Sequence, residues 1–296
     1  MSILKSFCLS RLIIAREFSF FLFLSVGIIG FILFTGYDVS AQGNLLITPR
    51  RVVFEGNKRS FDLNLANIGS DTATYSISIV QIRMKEDGGF ETITQPDPGQ
   101  QFADRFIRFF PRSVTLGPNE SQVVKVQLTK TNELAPGEYR SHFYFRAVPK
   151  MTPLGEKEAA PKDSTTISVR LTPVFGITIP VIIRVGETNT TVSLSNLGFD
   201  FVDDTIPKIS MTFNRTGNMS VYGDISVEYV STQGKITRVG IASGVAVYTP
   251  NNMRMFRMSL ATSKDINYRA GTLRVIYSAP SDVKPVRYTE AEIALK

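Results

Sequence analysis

Few side chains in this chain could carry covalent or metal chemistry, and their placement argues against both. His142 is the only histidine and Cys8 the only cysteine. No serine sits in a recognisable nucleophile turn, so no nucleophile–base pair can be assembled. His142 falls within an aromatic run, where a strand face is its expected place. The acidic pair Asp203-Asp204 lies in an expected loop and supplies too few oxygens for calcium. Phe143, Tyr144 and Phe145 read as core rather than as a ligand platform. Nothing resembles a phosphate-binding loop, so no ATP is implied, no cofactor is expected and the chain does not read as an enzyme. Recognition chemistry remains: two adjacent guanidinium groups at Arg50 and Arg51, which on their own read as solvated strand charges, and an alternating apolar run from Ile167 to Phe175.

That run belongs to a longer one, Thr165 to Arg184, reading TTISVRLTPVFGITIPVIIR. Ile167, Val169, Leu171, Pro173 and Phe175 share one face and Ser168, Arg170 and Thr172 the other, the period-two pattern of a half-buried strand. From Val174 to Ile183 the residues are almost continuously apolar and β-branched, as in a strand covered on both faces, and Pro180 marks a change of packing environment. About 18 residues against a usual 5–6 is long enough to connect two sheets and to offer a stretch to something else. The segment before it, PKMTPLGEKEAAPKDS from Pro149 to Ser164, is too polar to pack and reads as a mobile loop that becomes ordered on binding.

At 296 residues the chain has room for two domains. Its net charge of +7 is scattered rather than gathered, which argues against nucleic-acid binding. Lys5, Arg11 and Arg16 flank the apolar run Phe18 to Phe34, and Val39-Ser40-Ala41 precedes Gln42. Residues 1–41 therefore read as a signal peptide, or as an uncleaved anchor, since the apolar run reaches the lower limit of a spanning helix. Cys8 lies in this segment without the small-residue box of a lipidated cysteine. The exported part has no cysteine and must rely on sheet packing for its stability.

From Asn44 onward the chain reads as strand and turn. Leu45 to Phe54, broken by Pro49, predicts an edge strand that kinks or changes partner. Ser60 to Asn67, Thr74 to Ile82, Phe106 to Val114, Ser121 to Leu128 and Tyr139 to Val148 follow, with a hairpin turn at Asp87-Gly88-Gly89. A cis bond at Phe110-Pro111 is compatible with the sequence but not readable from it. Beyond a joint at Ile183 to Thr190 the expected strands are Thr191 to Ser195, Lys208 to Asn214, Gly223 to Tyr229, Lys235 to Tyr248, Met253 to Leu260, Thr272 to Ser278 and Tyr288 to Leu295. The fold expected is all-β, with two immunoglobulin-like β-sandwich domains at residues 42–184 and 185–296 joined by a short linker.

Arg51-Val52-Val53-Phe54-Glu55-Gly56, Arg140 to Pro149 (RSHFYFRAVP) and the long strand after a polar loop together resemble the periplasmic chaperones of the chaperone/usher pilus pathway. The resemblance covers most of the first domain; the second matches only in length and strand content. It implies a periplasmic protein whose two domains hold a pilus or fimbrial subunit in the cleft between them and deliver it to an outer-membrane usher. Donor-strand complementation is a known form of strand addition: Ile167, Val169, Leu171, Pro173 and Phe175 would enter the groove of a subunit missing its last strand. It also implies that Arg51 grips the subunit's terminal carboxylate.

Two departures from the family are visible. Counting along the alternation, Gly176 stands where the family places a lysine beside that arginine, and Arg184 is the nearest downstream cation. Arg140 stands where the family commonly has an acidic residue involved in pairing the domains. An exposed donor strand also invites a self-capping homodimer. The rival from another class is an exported structural or adhesive surface protein of two sandwiches, in which Thr165 to Phe175 is an internal strand.

Overall fold

Alternation of apolar and polar residues dictates nearly every element. A computed structural model describes residues 44–149, 174–263, 266–280 and 286–295. In chain order the strands are β1 (Leu45–Thr48), β2 (Val52–Phe54), β3 (Ser60–Asn67), β4 (Ala73–Val80), β5 (Ile82–Met84), β6 (Phe90–Thr92), β7 (Ile107–Phe110), β8 (Ser113–Leu116), β9 (Ser121–Leu128), β10 (Gly137–Val148) and β11 (Gly176–Val185). There follow β12 (Thr191–Val202), β13 (Ile206–Thr216), β14 (Val221–Val230), β15 (Ile236–Val247), β16 (Met253–Ser259), β17 (Gly271–Ser278) and β18 (Arg287–Leu295). The expected signal segment, the polar loop from Lys150 onward and four of the five expected donor residues, Ile167, Val169, Leu171 and Pro173, lie outside the described residues.

The first sandwich packs a sheet ordered β1-β3-β9-β7 against one ordered β2-β11-β10-β4-β8. Its core takes alternate residues from both, among them Leu63, Leu65, Val124 and Val126 from the first sheet and Phe143, Phe145, Val181 and Ile183 from the second. The second sandwich packs β12-β13-β16 against β15-β14-β17-β18. There β14 alternates without a break, turning Ile225, Val227 and Tyr229 inward against Phe213, Leu273 and Tyr277.

Two of the three prolines singled out in the sequence, Pro49 and Pro111, sit where the chain changes sheet, whereas Pro180 lies within the unbroken strand β11. Thr48-Pro49 is cis; before it β1 pairs antiparallel with β3, and after it β2 pairs parallel with β11 in the opposite sheet. The expected single strand Phe106 to Val114 is two. Phe106 closes a short 3-10 turn, β7 pairs with β9, and after the cis bond Phe110-Pro111 β8 crosses to pair with β4. A proline has no N–H to continue a ladder, which favours a break at each position.

The near-continuous apolar run of β11 has a specific cause. Val181 and Ile183 face the core of the first sandwich. Ile182, on the opposite face, packs with Met84, Ala246 and Tyr248 in a third apolar cluster shared by both sandwiches. Coverage on both faces therefore holds for these three residues and not for the whole run: Val174, Phe175, Gly176 and Thr178 are exposed.

Candidate functional site

Strand β10 sets the site. Its odd positions Tyr139, Phe143 and Phe145 fill the first core, while Glu138, Arg140 and His142 are buried on the other face. That face meets the second sandwich. The Glu138 carboxylate accepts hydrogen bonds from the Ser220 amide (2.9 Å), the Ser220 hydroxyl and the Thr249 hydroxyl (3.2 Å), and pairs with Arg184 Nε at 3.2 Å. Arg184 also donates to the Ser220 carbonyl at 2.8 Å and reaches Glu55 at 3.6 Å.

Next to this junction a cleft of about 340 Å³ opens between the sandwiches, lined by Arg50, Arg51, Phe90, His142, Pro180 and Tyr248 among others. Arg51 reaches it because β2 runs parallel to β11 with Val52 opposite Val181, so Arg51 and Pro180 stand one step before that pair. The Arg51 guanidinium lies 4.3 Å from the centre of the Tyr222 ring, and its buried Nε and Nη1 have no hydrogen-bond partner. Arg140 lies 4.3 Å from the centre of the Tyr248 ring; Nη2 donates to the Ile82 carbonyl at 3.4 Å, and Nε and Nη1 have no partner. Burial lowers the Arg140 pKa, yet a guanidinium remains charged in a protein. The His142 ring sits between Phe90 and Tyr248 with an unpartnered Nδ1, and burial, reinforced by Arg140, pushes its pKa down to about 3. His142 is therefore neutral at pH 7. Burial likewise raises the Tyr248 phenol.

The second sandwich completes the wall. The ladder between β14 and β15 shifts register near Gly223, and Gly244, at φ 75°, donates its N–H to Asp224 Oδ1 at 2.8 Å, which presents Ser243 and Gly244 to the cleft. The hairpin β5–β6 of the first sandwich reaches over to meet it. Asn251 Nδ2 donates to the Met84 carbonyl at 2.7 Å and the Met255 amide to the Glu86 carbonyl at 2.7 Å. Phe90, paired with Met84 at the turn end of this hairpin, remains 55% exposed within the cleft.

The structure places Arg51 in the cleft and Phe175 at the entry to β11, where its carbonyl accepts from the Ala147 amide at 2.9 Å and its side chain is 52% exposed. One expectation is revised. The position beside Arg51 is Pro180, not Gly176; a Cβ on Gly176 would stand 2.6 Å from Tyr144 Oη, so the ring occupies the place of a side chain. The acidic partner joining the sandwiches is Glu138, two residues before Arg140. Arg184 pairs with Glu138 in that junction and also lines a second space, of about 620 Å³, together with Arg51 and Tyr222. Sequence reasoning missed Glu138, Tyr222, Tyr248 and Phe90. Glu138, Arg140 and His142 at every second place in an aromatic strand were the available signal. Among the described residues no group of three His, Cys, Asp or Glu side chains could hold a metal.

Fold and site define two packed β-sandwiches with a cleft between them that carries Arg50 and Arg51. A model described as an Fn3-like domain matches residues 53–146, within the first sandwich. No curated relative matches the sequence. Among solved structures the chain is similar to the YadV chaperone at 13% identity, with 86% of this chain and 100% of that one covered and a TM-score of 0.41. It is similar to the CupB2 chaperone of Pseudomonas aeruginosa at 14% identity, 85% and 100% coverage and a TM-score of 0.38. A third similarity is to the CsuC–CsuE chaperone–tip adhesion subunit complex from Csu pili of Acinetobacter baumannii, at 11% identity, 72% and 90% coverage and a TM-score of 0.39.

Proposed function

We propose that this chain is a periplasmic chaperone that holds secreted β-rich subunits of a pilus or fimbria by donor-strand complementation and hands them to an outer-membrane usher. One observation carries the proposal. β10 pairs with β11 from Gly176 to Val185, whereas β2 covers β11 only from Val181 to Ile183. Among the described residues the other edge of Gly176–Pro180 is unpaired, and it begins beside the exposed apolar side chains Val174 and Phe175. An open edge with an apolar approach is a template for another strand.

Continued upstream, the alternation lays Ile167 to Phe175 along the groove of a subunit that lacks its last strand, with Ile167, Val169 and Leu171 in successive pockets and Pro173 and Phe175 on the same face. Those three pocketed side chains at ~1.5–3 kcal/mol each give roughly 5–9 kcal/mol before ordering costs. Arg51 grips the terminal carboxylate and fixes the register. A subunit held in this way neither aggregates nor polymerises early, and no ATP is needed.

The test is capture from periplasm with tagged full-length protein, as wild type, Val169→Asp and Arg51→Ala, followed by hydrogen exchange on any complex. Capture of small β-rich subunits that is lost with Val169→Asp, with new amide protection at residues 165–175, supports the proposal. Equal capture by all three proteins, or protection elsewhere, overturns it in favour of the structural or adhesive reading.

A further inference from the structure

We propose that the β5–β6 hairpin is a latch between the two sandwiches. Closed, as it is here, it fixes the opening of the cleft and holds Phe90 in the cleft wall. Released, it frees the second sandwich to turn about the chain crossing at Gly186. The latch belongs to the free protein and stands whether or not strand addition is what the cleft serves.

The hairpin is built as a separate part. Its ladder is three residues a side, Ile82 to Met84 against Phe90 to Thr92, which is too short to be stable without support. Its turn is self-contained: the Lys85 amide donates to the Gly89 carbonyl at 2.8 Å, the Gly88 amide to the Lys85 carbonyl at 2.9 Å, and the Gly89 amide to Asp87 Oδ1 at 2.7 Å. Its root is held by the first sandwich. Gln100 Nε2 and Arg140 Nη2 both donate to the Ile82 carbonyl, at 3.3 and 3.4 Å, and Arg83 pairs with Asp97 at 2.8 Å. Such a part moves as a preformed arm on a fixed root.

The far end of the arm is bonded to the second sandwich. The Met84 carbonyl accepts from Asn251 Nδ2 and the Glu86 carbonyl from the Met255 amide, both at 2.7 Å. β16 is an edge strand, so Glu86 stands at Met255 where a further strand would pair. Gly88, at φ 83°, lies so close to Arg254 that a Cβ there would stand 2.7 Å from Nη2. Met84 belongs to the third apolar cluster, with Ile182, Ala246 and Tyr248, and the Phe90 ring lies 6.4 Å from that of Tyr248.

Leverage comes from the separation of the ties. β11 ends at Val185, paired with Gly137, and the chain crosses to the second sandwich at Gly186, at φ 81°. Glu138 makes its bonds to Ser220 and Thr249 beside that crossing. The hairpin meets β10 at His142, four residues further on, about 13 Å of strand. Two ties so far apart define an orientation, whereas the crossing alone defines a pivot. Opening withdraws Met84 from the third cluster and Phe90 from the cleft wall together. A ligand that touches Phe90 in the cleft therefore favours the closed arm, and is favoured by it.

Hydrogen exchange on the full-length protein reads the latch directly. The Met255 amide reports the arm; the Leu260 amide, just beyond β16, donates to Pro207 of β13 at 2.8 Å and reports the second sandwich's own ladder. Met255 should exchange about tenfold or more faster than Leu260, because a latch opens before the sandwich does. Asn251→Ala removes one hydrogen bond and should speed Met255 about fivefold further with Leu260 unchanged. Spin labels at Ser121→Cys and Ala294→Cys, one exposed site on each sandwich, read the orientation in a Cys8→Ser background. One narrow distance is expected with the hairpin intact, and a broader or second distance with Gly88→Val or with a two-residue turn in place of Lys85 to Gly89. Met255 as well protected as Leu260 in the intact protein overturns the proposal. So does equal acceleration of both amides in Asn251→Ala, or a distance that neither hairpin variant changes.

Discussion

Glu138 and Ser220 are joined twice across the junction of the two sandwiches: one carboxylate accepts from both the amide and the hydroxyl of the same serine, 82 residues away. The Glu138 side chain is fully buried and also holds Arg184.

Removing that carboxylate strands its donors. Glu138→Ala should destabilise the protein by about 3–5 kcal/mol, because Arg184 and the Ser220 amide lose a buried partner together. Urea denaturation followed by fluorescence is the measurement. The loss should appear as a separate, earlier transition for one sandwich, since the bonds removed are those between them.

Acidification should weaken the fold through His142. Its pKa falls from 6.5 to about 3 on folding, so the folded state binds fewer protons than the unfolded one. The stability arising from the neutral ring is complete above pH 6.5 and declines as pH falls toward 3. The slope is about 1.4 kcal/mol per pH unit, or on the order of 2 kcal/mol by pH 5. Urea midpoints for wild type and His142→Gln at pH 7.5 and pH 5 isolate this contribution, and the variant should lose less on acidification.

Gly176 should resist a side chain for a local reason. Gly176→Ala puts a methyl group against the Tyr144 ring. That ring is only half-buried and can swing aside, so the expected loss is about 1 kcal/mol. Tyr144→Ala should absorb part of it, and thermal melts of the two single variants and the double variant should be non-additive.

Phe175→Asp separates binding from folding. The side chain is half exposed, so stability should change by no more than about 0.5 kcal/mol. Affinity for a captured subunit should fall by about one to two orders of magnitude, the worth of one large apolar contact. Titration calorimetry against a purified subunit reads this directly.

Strand positions were largely legible because each sandwich buries one face of each sheet, and alternation reports that directly. Ser60–Asn67 and Ser121–Leu128 were readable to their ends. Pro49 announced a change of partner, but the change of sheet after Phe110 was hidden, because Phe106 to Val114 stays apolar across the break. The cleft was legible only at Arg51. Tyr222, Tyr248 and Phe90 come from segments far apart in sequence, and nothing local distinguishes a tyrosine that backs a guanidinium from one that fills a core. Gly176 was misplaced for a related reason: counting along one strand gives the face of a residue, whereas its neighbour across the sheet depends on the register with β2.

The parallel pairing of β2 with β11 has a metrical consequence. Because both strands belong to one sheet, the distance from Arg51 to the start of β11 is fixed: Pro180 to Phe175 is five residues, about 17 Å of extended chain. Under the function proposed above the molecule would act as a gauge. A polypeptide anchored by its last carboxylate would present its preceding residues at set intervals, and one residue too many would turn every inward side chain outward.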